Sequence, residues 1–253
     1  MSAQIQSIER AATVLRLLTR RSGWGVAELA SELGLPKGTV YGILRTLQTV
    51  GFVEQDHDSG KYQTGPALLH IGLRYLEGNE LRLRALSWAN TLATQSEESV
   101  RIGTAHENVV LVVHHVLRPD DRSQTSAVGG LMPLHATALG KALLAHRRDL
   151  VTAIAERDLA SYTSATITDA ETLVGQLAGI ADRGWADDVA EFLPDVASIA
   201  APIKGRHHAV VGAVAISGPG ERICPHGSPR SDLAGYVLDS ARAISRELGW
   251  TPG

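Results

Sequence analysis

Cysteine and aromatic residues are scarce in this chain of 253 residues: one cysteine, two phenylalanines, and aromatic side chains at 4% in all. The single thiol, Cys224, excludes an internal disulfide framework and any multi-cysteine zinc site, and it fits a reducing compartment, so a cytoplasmic protein is expected. Long hydrophobic runs are missing too. No apolar stretch approaches the roughly 18 residues that a membrane span needs, and Glu9 and Arg10 interrupt the N-terminal MSAQIQSIERAATVLRLL before a signal core can form. Neither sign of charge dominates: the formal net charge is -3, so binding to nucleic acid has to rest on a local patch. Hydrophobic residues make up 44%, enough to fill a proper core.

Enzymatic motifs are equally thin. Gly140-Lys141 in TALGKALL looks like the end of a phosphate-binding loop, but the earlier glycine is absent and Ala142 stands where a metal-binding hydroxyl belongs. The adjacent pairs His114-His115 and His207-His208, read as strand residues, point to opposite faces and cannot close on one metal. No Gly-x-Ser-x-Gly elbow and no His-x-x-x-His pair occurs. Neither a cofactor nor a metal is expected, and catalysis has little to stand on.

What is present begins with helical periodicity. Ile8, Ala11, Ala12, Leu15 and Leu18 recur at helical spacing, with Ser7 expected to cap the start; VAELASELGL forms a second short helix with Gly34 as its left-handed end. LPKGTVYGILRTLQTVGFVEQD then opens with Pro36, and its Val40, Ile43, Leu44 and Leu47 form an i, i+3, i+4, i+7 stripe. Lys37, Gly38, Thr39, Tyr41, Gly42, Arg45 and Gln48 are left facing outward, with no carboxylate between Lys37 and Gly51. Two short helices joined by a tight glycine turn make a helix-turn-helix, whose second helix enters the major groove. Two strands, Phe52 to Gln55 and Lys61 to Gln63, around a turn rich in Asp, Ser and Gly add a wing. The same pattern also admits a plain structural subdomain. From Met1 to Val50 there are six Lys or Arg against three Asp or Glu, a local excess of only three, so tight DNA binding calls for a homodimer or homotetramer spanning paired half-sites.

After Gly65-Pro66 a linker helix is expected, then an amphipathic helix from Asn79, strands at SVRIGTAH and NVVLVVHHVL, a helix at HATALGKALLAHR, further helices over 149–157 and 169–183, strands at WADDVAE, ASIAAPIKG and AVVGAVAISGPG, and a last helix from Ser231 to Leu248. Strands clustered between helices predict an α+β domain with a largely antiparallel sheet. The domain boundaries read as 1–65 for a winged helix-turn-helix, 66–79 for the linker helix, and 80–253 for a ligand-binding and oligomerisation domain. Asp187, Asp188, Ser198 and Ser217 supply the convergent polar groups of a small-ligand cavity facing the start of the helix near His135, though carboxylates in water and serines bonded locally fit the pattern equally. Cys224, in RICPHG, falls in an expected loop; no role is assigned to it, although an exposed thiol there would be open to oxidation.

In family order and spacing, SIERAATVLRLL, VAELASELGLPKGTVYGILRTLQTVGFVEQD, GKYQTGPALLHIG, MPLHATALGKALLA, RGWADDVAE, SIAAPI and GAVAISGP span about Gln6 to Leu248 and resemble the IclR family of bacterial transcription regulators. The resemblance implies a winged helix-turn-helix domain, a linker helix and a GAF-like effector-binding domain. It implies a regulator, often a repressor, that acts as a dimer or tetramer on palindromic or repeated double-stranded DNA operators and responds to a small-molecule effector. The outward face of the third helix offers Lys37, Thr39, Tyr41, Arg45 and Gln48 as DNA contacts, with Lys61 of the wing; carried over position by position, the family's effector pocket falls on the backbone at Ala138 and Leu139 and on Asp188, Ser198, Ala215 and Ser217. The sequence departs from the family pattern, which usually has Cys at Ser198, Gly at Asp195, often Ser at Ala215, Ser at Gly38 and Arg at Gly42. Within the family, LPKGTVYGILRTLQ and VVHHVLRPDDRSQ are similar to actinobacterial regulators of the glycerol-operon type, implying a polyol, its phosphate or a small organic acid as effector.

Overall fold

The computed structural model describes residues 5–118, 124–155 and 157–251. The chain divides into two compact units, Met1–Gly78 and Asn79–Gly253. In the first, α1 (Gln6–Leu18), α2 (Val26–Leu33) and α3 (Lys37–Thr49) are followed by a hairpin of β1 (Val53–Gln55) and β2 (Tyr62–Thr64), and then by α4 (Pro66–Glu77). Trp24 bridges to Tyr62, so the segment between α1 and α2 forms a short third edge on the hairpin. The core joins Val14, Leu17 and Leu18 of α1, Leu29 of α2, and Val40, Leu44 and Leu47 of α3, closed by Trp24, Val53 and Tyr62. Leu29 and Leu44 are wholly buried; truncating either to alanine should cost about 2–5 kcal/mol.

Two expectations for this unit are corrected. The helix starts before Ser7: Ile5 is the N-cap, and no side chain caps it. Ile8, placed on the buried stripe by spacing, is 63% exposed, because the packed part of α1 begins at Ala11: Ala11, Val14, Leu15, Leu17 and Leu18 lie in or against the core and the first turn does not. Gly34 does end α2 in the left-handed region, at φ 61°.

The second unit is built on a six-stranded, wholly antiparallel sheet of order β5-β4-β3-β8-β7-β6, whose strands are β3 (Ser99–His106), β4 (Val109–Val116), β5 (Leu131–Pro133), β6 (Ala186–Val189), β7 (Val196–Lys204) and β8 (Val210–Pro219). One face is covered by α5 (Glu80–Ser96) and α10 (Ser231–Glu247). Gly212 on β8 admits Leu81 of α5 so closely that a Cβ there would lie 2.4 Å from Leu81 Cδ2. The other face carries α6 (Ala138–Leu144), with α7 (Arg148–Ala155) and α8 (Ala170–Arg183) packed around it through Leu143, Ile154, Leu177 and Ile180. A short α9 (Gly220–Ile223) follows β8. Period-2 alternation divides each strand between these layers: Ile102, Ile199, Val214 and Ile216 take one face, Arg101, Ala200, Ala213 and Ala215 the other.

The strands and helices read from periodicity are all found, with β5 and α9 additional. The α6 helix starts at Ala138 and not near His135, because Thr137 is the cap: its hydroxyl accepts from Gly140 N at 3.1 Å. His135 is held instead by Nε2 against the Ala160 carbonyl at 2.9 Å. Asp195 adopts φ 60°, a left-handed conformation in which glycine carries less strain, at the position where the resemblance puts glycine.

Candidate nucleic-acid interface and effector pocket

On α3, Lys37, Tyr41, Arg45 and Gln48 are exposed and fall at steps of four, four and three, one row along the side that borders the buried Val40, Leu44 and Leu47. Thr39 is half-buried and lies off that row. The N-cap residue Pro36 offers no side-chain hydrogen bond, and its carbonyl accepts from the Thr39 and Val40 amides at 2.9 and 3.2 Å, so the Lys37 and Gly38 amides at the helix start, beside the Lys37 ammonium, form a natural landing place for a phosphate. Gly38 and Gly42 lie on the same open surface, where an added Cβ would meet nothing within 4 Å. Nothing in the fold therefore requires either glycine. Lys61 is exposed beside β2; its stem lies against Gly23, where a Cβ would come within 3.2 Å of Lys61 Cδ.

In the second unit the register brings the expected pocket residues into one row. Asp188 of β6 pairs with Ser198 of β7, Ser198 with Ser217 of β8, and Ser217 with Ser99 of β3. Cα partners share a face, so these polar groups all look toward α6, as does Ala215. The Ser198 hydroxyl lies 3.2 Å from that of Ser217, and Asp188 Oδ2 accepts from the Ala138 amide at 2.8 Å. Ala138, Leu139, Asp188, Ser198, Ala215 and Ser217 thus surround one cavity, which Arg101, Met132 and Thr137 complete. Its volume is about 10 Å³, close to the minimum that holds one water, so any organic ligand has to widen it by moving side chains or α6.

The electrostatics of the cavity are unusual. Burial raises the Asp188 carboxyl to about 6, against the lowering influence of the Ala138 amide, the Lys141 charge and the Ser198 hydroxyl. Behind it, Lys141 is fully buried and ion-paired to Glu191 at 2.6 Å, and burial holds the Glu191 carboxyl above the usual carboxylate range. The Gly140-Lys141 pair therefore has two packing roles. Gly140 lets α6 press on the backbone of Leu134, where a Cβ would lie 2.2 Å from the carbonyl oxygen, and Lys141 anchors the segment after β6.

Three sequence readings change. Asp187, grouped with Asp188 from the sequence, turns to the other face and pairs with Arg183, because neighbours on a strand alternate. His207 and His208 are not on a strand but in a tight turn, each with φ 59°. Cys224 is buried, with its thiol pushed up to about 12 first by desolvation and then by Asp187 and Asp188, which makes it unreactive. Sequence reasoning missed Arg101. The one signal available was a charged residue between Val100 and Ile102 in SVRIGTAH, in phase with Ser99; its meeting with the pocket row needed the β3–β8 register.

Among the described residues no helix is long and apolar enough to cross a membrane. Residues 7–57 match the IclR helix-turn-helix domain, and residues 73–246 match the C-terminal domain of IclR bacterial transcriptional regulators. The chain is 49% identical over 252 residues, 98% of its own length and 98% of the relative's, to the glycerol operon regulatory protein of Streptomyces coelicolor. It superposes on an IclR transcriptional regulator from Alicyclobacillus acidocaldarius with a TM-score of 0.81 at 25% identity, covering 98% of this chain and all of the other. An IclR homologue of Microbacterium hydrocarbonoxydans complexed with 4-hydroxybenzoate shares the fold with a TM-score of 0.79 at 22% identity, covering 96% and 99% of the two chains. With a winged helix-turn-helix in the first unit, a GAF-like antiparallel domain in the second, and relatives that are regulators and not enzymes, the chain belongs to the IclR family of bacterial transcriptional regulators.

Proposed function

We propose that this regulator is a repressor of an operon for small-molecule metabolism, binding palindromic or repeated operators as a dimer or tetramer. The carrying observation is the α3 row of Lys37, Tyr41, Arg45 and Gln48, exposed and free of carboxylates on a helix whose neighbouring edge is locked into the core. Thr39, off this row, and the wing residue Lys61 are further contacts in this reading. Arg45 and Gln48 are suited to base edges, and Lys37 to phosphate.

Self-association is supported by α4, which buries no residue and exposes Leu69, Ile71, Leu73 and Tyr75. Leu69 with Leu73 and Ile71 with Tyr75 fall at steps of four on two sides of the helix, and so much exposed apolar surface favours a covering partner. Pairing two modest basic surfaces also supplies the phosphate contacts that a local excess of three charges cannot.

The cavity among Ala138, Leu139, Asp188, Ser198, Ala215 and Ser217 is the effector site in this reading, and a small organic acid, a polyol or a polyol phosphate is its ligand. The high identity to a glycerol operon regulatory protein supports that class. Because the cavity is about 10 Å³, binding and conformational change are coupled: a ligand selects a widened state, and the spacing of recognition helices responds.

The test is footprinting of the DNA upstream of the gene at stated salt, with and without candidate effectors, on wild-type protein and Arg45→Ala. Protection of an inverted or direct repeat is expected, with affinity for it reduced by about 1–3 kcal/mol in the variant. No protected site at any salt, or undiminished affinity in Arg45→Ala, contradicts the assignment of this face.

A further inference from the structure

Among the described residues, two buried hydrogen-bond donor atoms on the pocket face of the sheet have nothing to donate to: Nε of Arg101 and Nε2 of His115. The two residues are register partners on β3 and β4, and so project side by side from the face that also carries Asp188, Ser198 and Ser217. Nδ1 of His115 accepts from the Ala127 amide at 3.0 Å, which leaves the ring proton of the neutral imidazole on Nε2. Desolvation, then Arg101 and then His114, push His115 down to about 4, so the ring is neutral at physiological pH. Arg101 stays protonated in proteins, and Asp188 is the opposite charge that favours its cationic form against burial. Yet no described residue hydrogen-bonds or ion-pairs with Arg101, while Asp188 already spends Oδ2 on the Ala138 amide.

A buried Nε–H without an acceptor on a half-buried guanidinium is costly, and a second orphan donor beside it adds to the cost. Both groups are donors, so both are completed by the same kind of guest: an acceptor, best a negatively charged one. The rest of the row is complementary to hydroxyls, with a carboxylate and two serine oxygens.

We infer that Arg101, assisted by His115, recognises an anionic head group on the effector, a carboxylate or phosphate, while Asp188, Ser198 and Ser217 take its hydroxyls. This rests on the reading of the cavity as the effector site. It narrows that reading by setting neutral polyols apart from their charged derivatives, and it makes Arg101 a specificity-determining residue.

The experiment is calorimetric titration of the purified full-length protein with three probes of one size class: glycerol, glycerate and glycerol 3-phosphate. Wild type should bind at least one charged probe about 10- to 100-fold more tightly than glycerol, the range expected of a charge-assisted hydrogen bond. The order of glycerate and glycerol 3-phosphate identifies the head group. Arg101→Met should erase the preference and Arg101→Lys should keep part of it; the wild-type comparison stands by itself if Arg101→Met does not fold. Glycerol binding as tightly as both charged probes, or a preference undiminished in Arg101→Met, overturns the inference. If that happens while Ser217→Ala and Asp188→Asn still abolish binding, the effector site survives and only its anion selectivity falls. Binding of none of the probes, or binding indifferent to Ser217→Ala and Asp188→Asn, removes the effector-site reading and this inference with it.

Discussion

Replacing Gly42 by alanine tests separately what the fold needs and what DNA needs. Gly42 lies mid-helix in α3, with ordinary φ, and a methyl group there would touch nothing within 4 Å. Glycine in a helix interior costs about 0.8–1.0 kcal/mol relative to alanine, chiefly through the backbone freedom lost on folding. With no steric offset the whole difference should appear as added stability. The Thr46 hydroxyl bond to the Gly42 carbonyl is unaffected, because it uses the backbone. Hydrogen exchange over residues 37–49 should slow by about four- to fivefold at the amides that exchange through opening of this unit. Operator affinity should move the other way, since the methyl group projects next to Arg45, three residues on, and changes how that side chain meets the groove without adding a polar contact. Unchanged or faster exchange would refute the propensity argument. Slower exchange with undiminished operator binding would refute the assignment of this face to DNA, and would leave Gly42 without a physical explanation.

Three further outcomes follow from the second unit. Glu191→Gln should destabilise by about 3–5 kcal/mol, because it strands the wholly buried Lys141 without its anion; Lys141→Met should cost less, since Glu191 can take a proton. Equal denaturation midpoints for the two variants would contradict this. Asp188 has a folded-state value of about 6 above the ordinary 3.8, so the native state holds that proton more tightly than the unfolded chain. Its contribution to stability is therefore full below pH 4 and is lost as pH rises through 6. The stability of Asp188→Asn relative to wild type should accordingly climb by on the order of 3 kcal/mol over that window, and a flat difference in urea titrations at pH 4, 5, 6 and 7 would exclude it. Gly140→Ala should displace α6 from Leu134, because the contact to be relieved is backbone and cannot rotate away; the measurable result is lower thermal stability with loss of ligand binding, and a protein that melts and binds like wild type would show that α6 has more room than its geometry indicates.

The N-terminal unit was readable because its information is local. Val40, Leu44 and Leu47 announce their buried edge by spacing alone, and the exposed row follows as the complement of the same helix. Gly34 announces a left-handed end for a similar reason. Ile8 escaped because periodicity identifies an apolar face but not how far the covering helices extend along it. The three-residue strand β5 has too few residues to show a period of two, and the start of α6 depended on which of several polar residues capped it.

In the second unit the sequence by itself determined the order of helices and strands and the polar character of Asp188, Ser198 and Ser217, because alternation and composition are properties of short segments. Only the tertiary structure decided which of these residues meet. The register of five antiparallel strands puts Asp188, Ser198, Ser217 and Ser99 in a single row, sends Asp187 to the other face, and sets Arg101 beside His115 and Ala215. A slip of one residue would reverse each of those faces without altering any local pattern. Burial is likewise collective: the lysine of a loop-like Gly140-Lys141 became a core ion pair, and the lone thiol of Cys224 became inert, because desolvation depends on everything packed around a group and not on its neighbours in the chain.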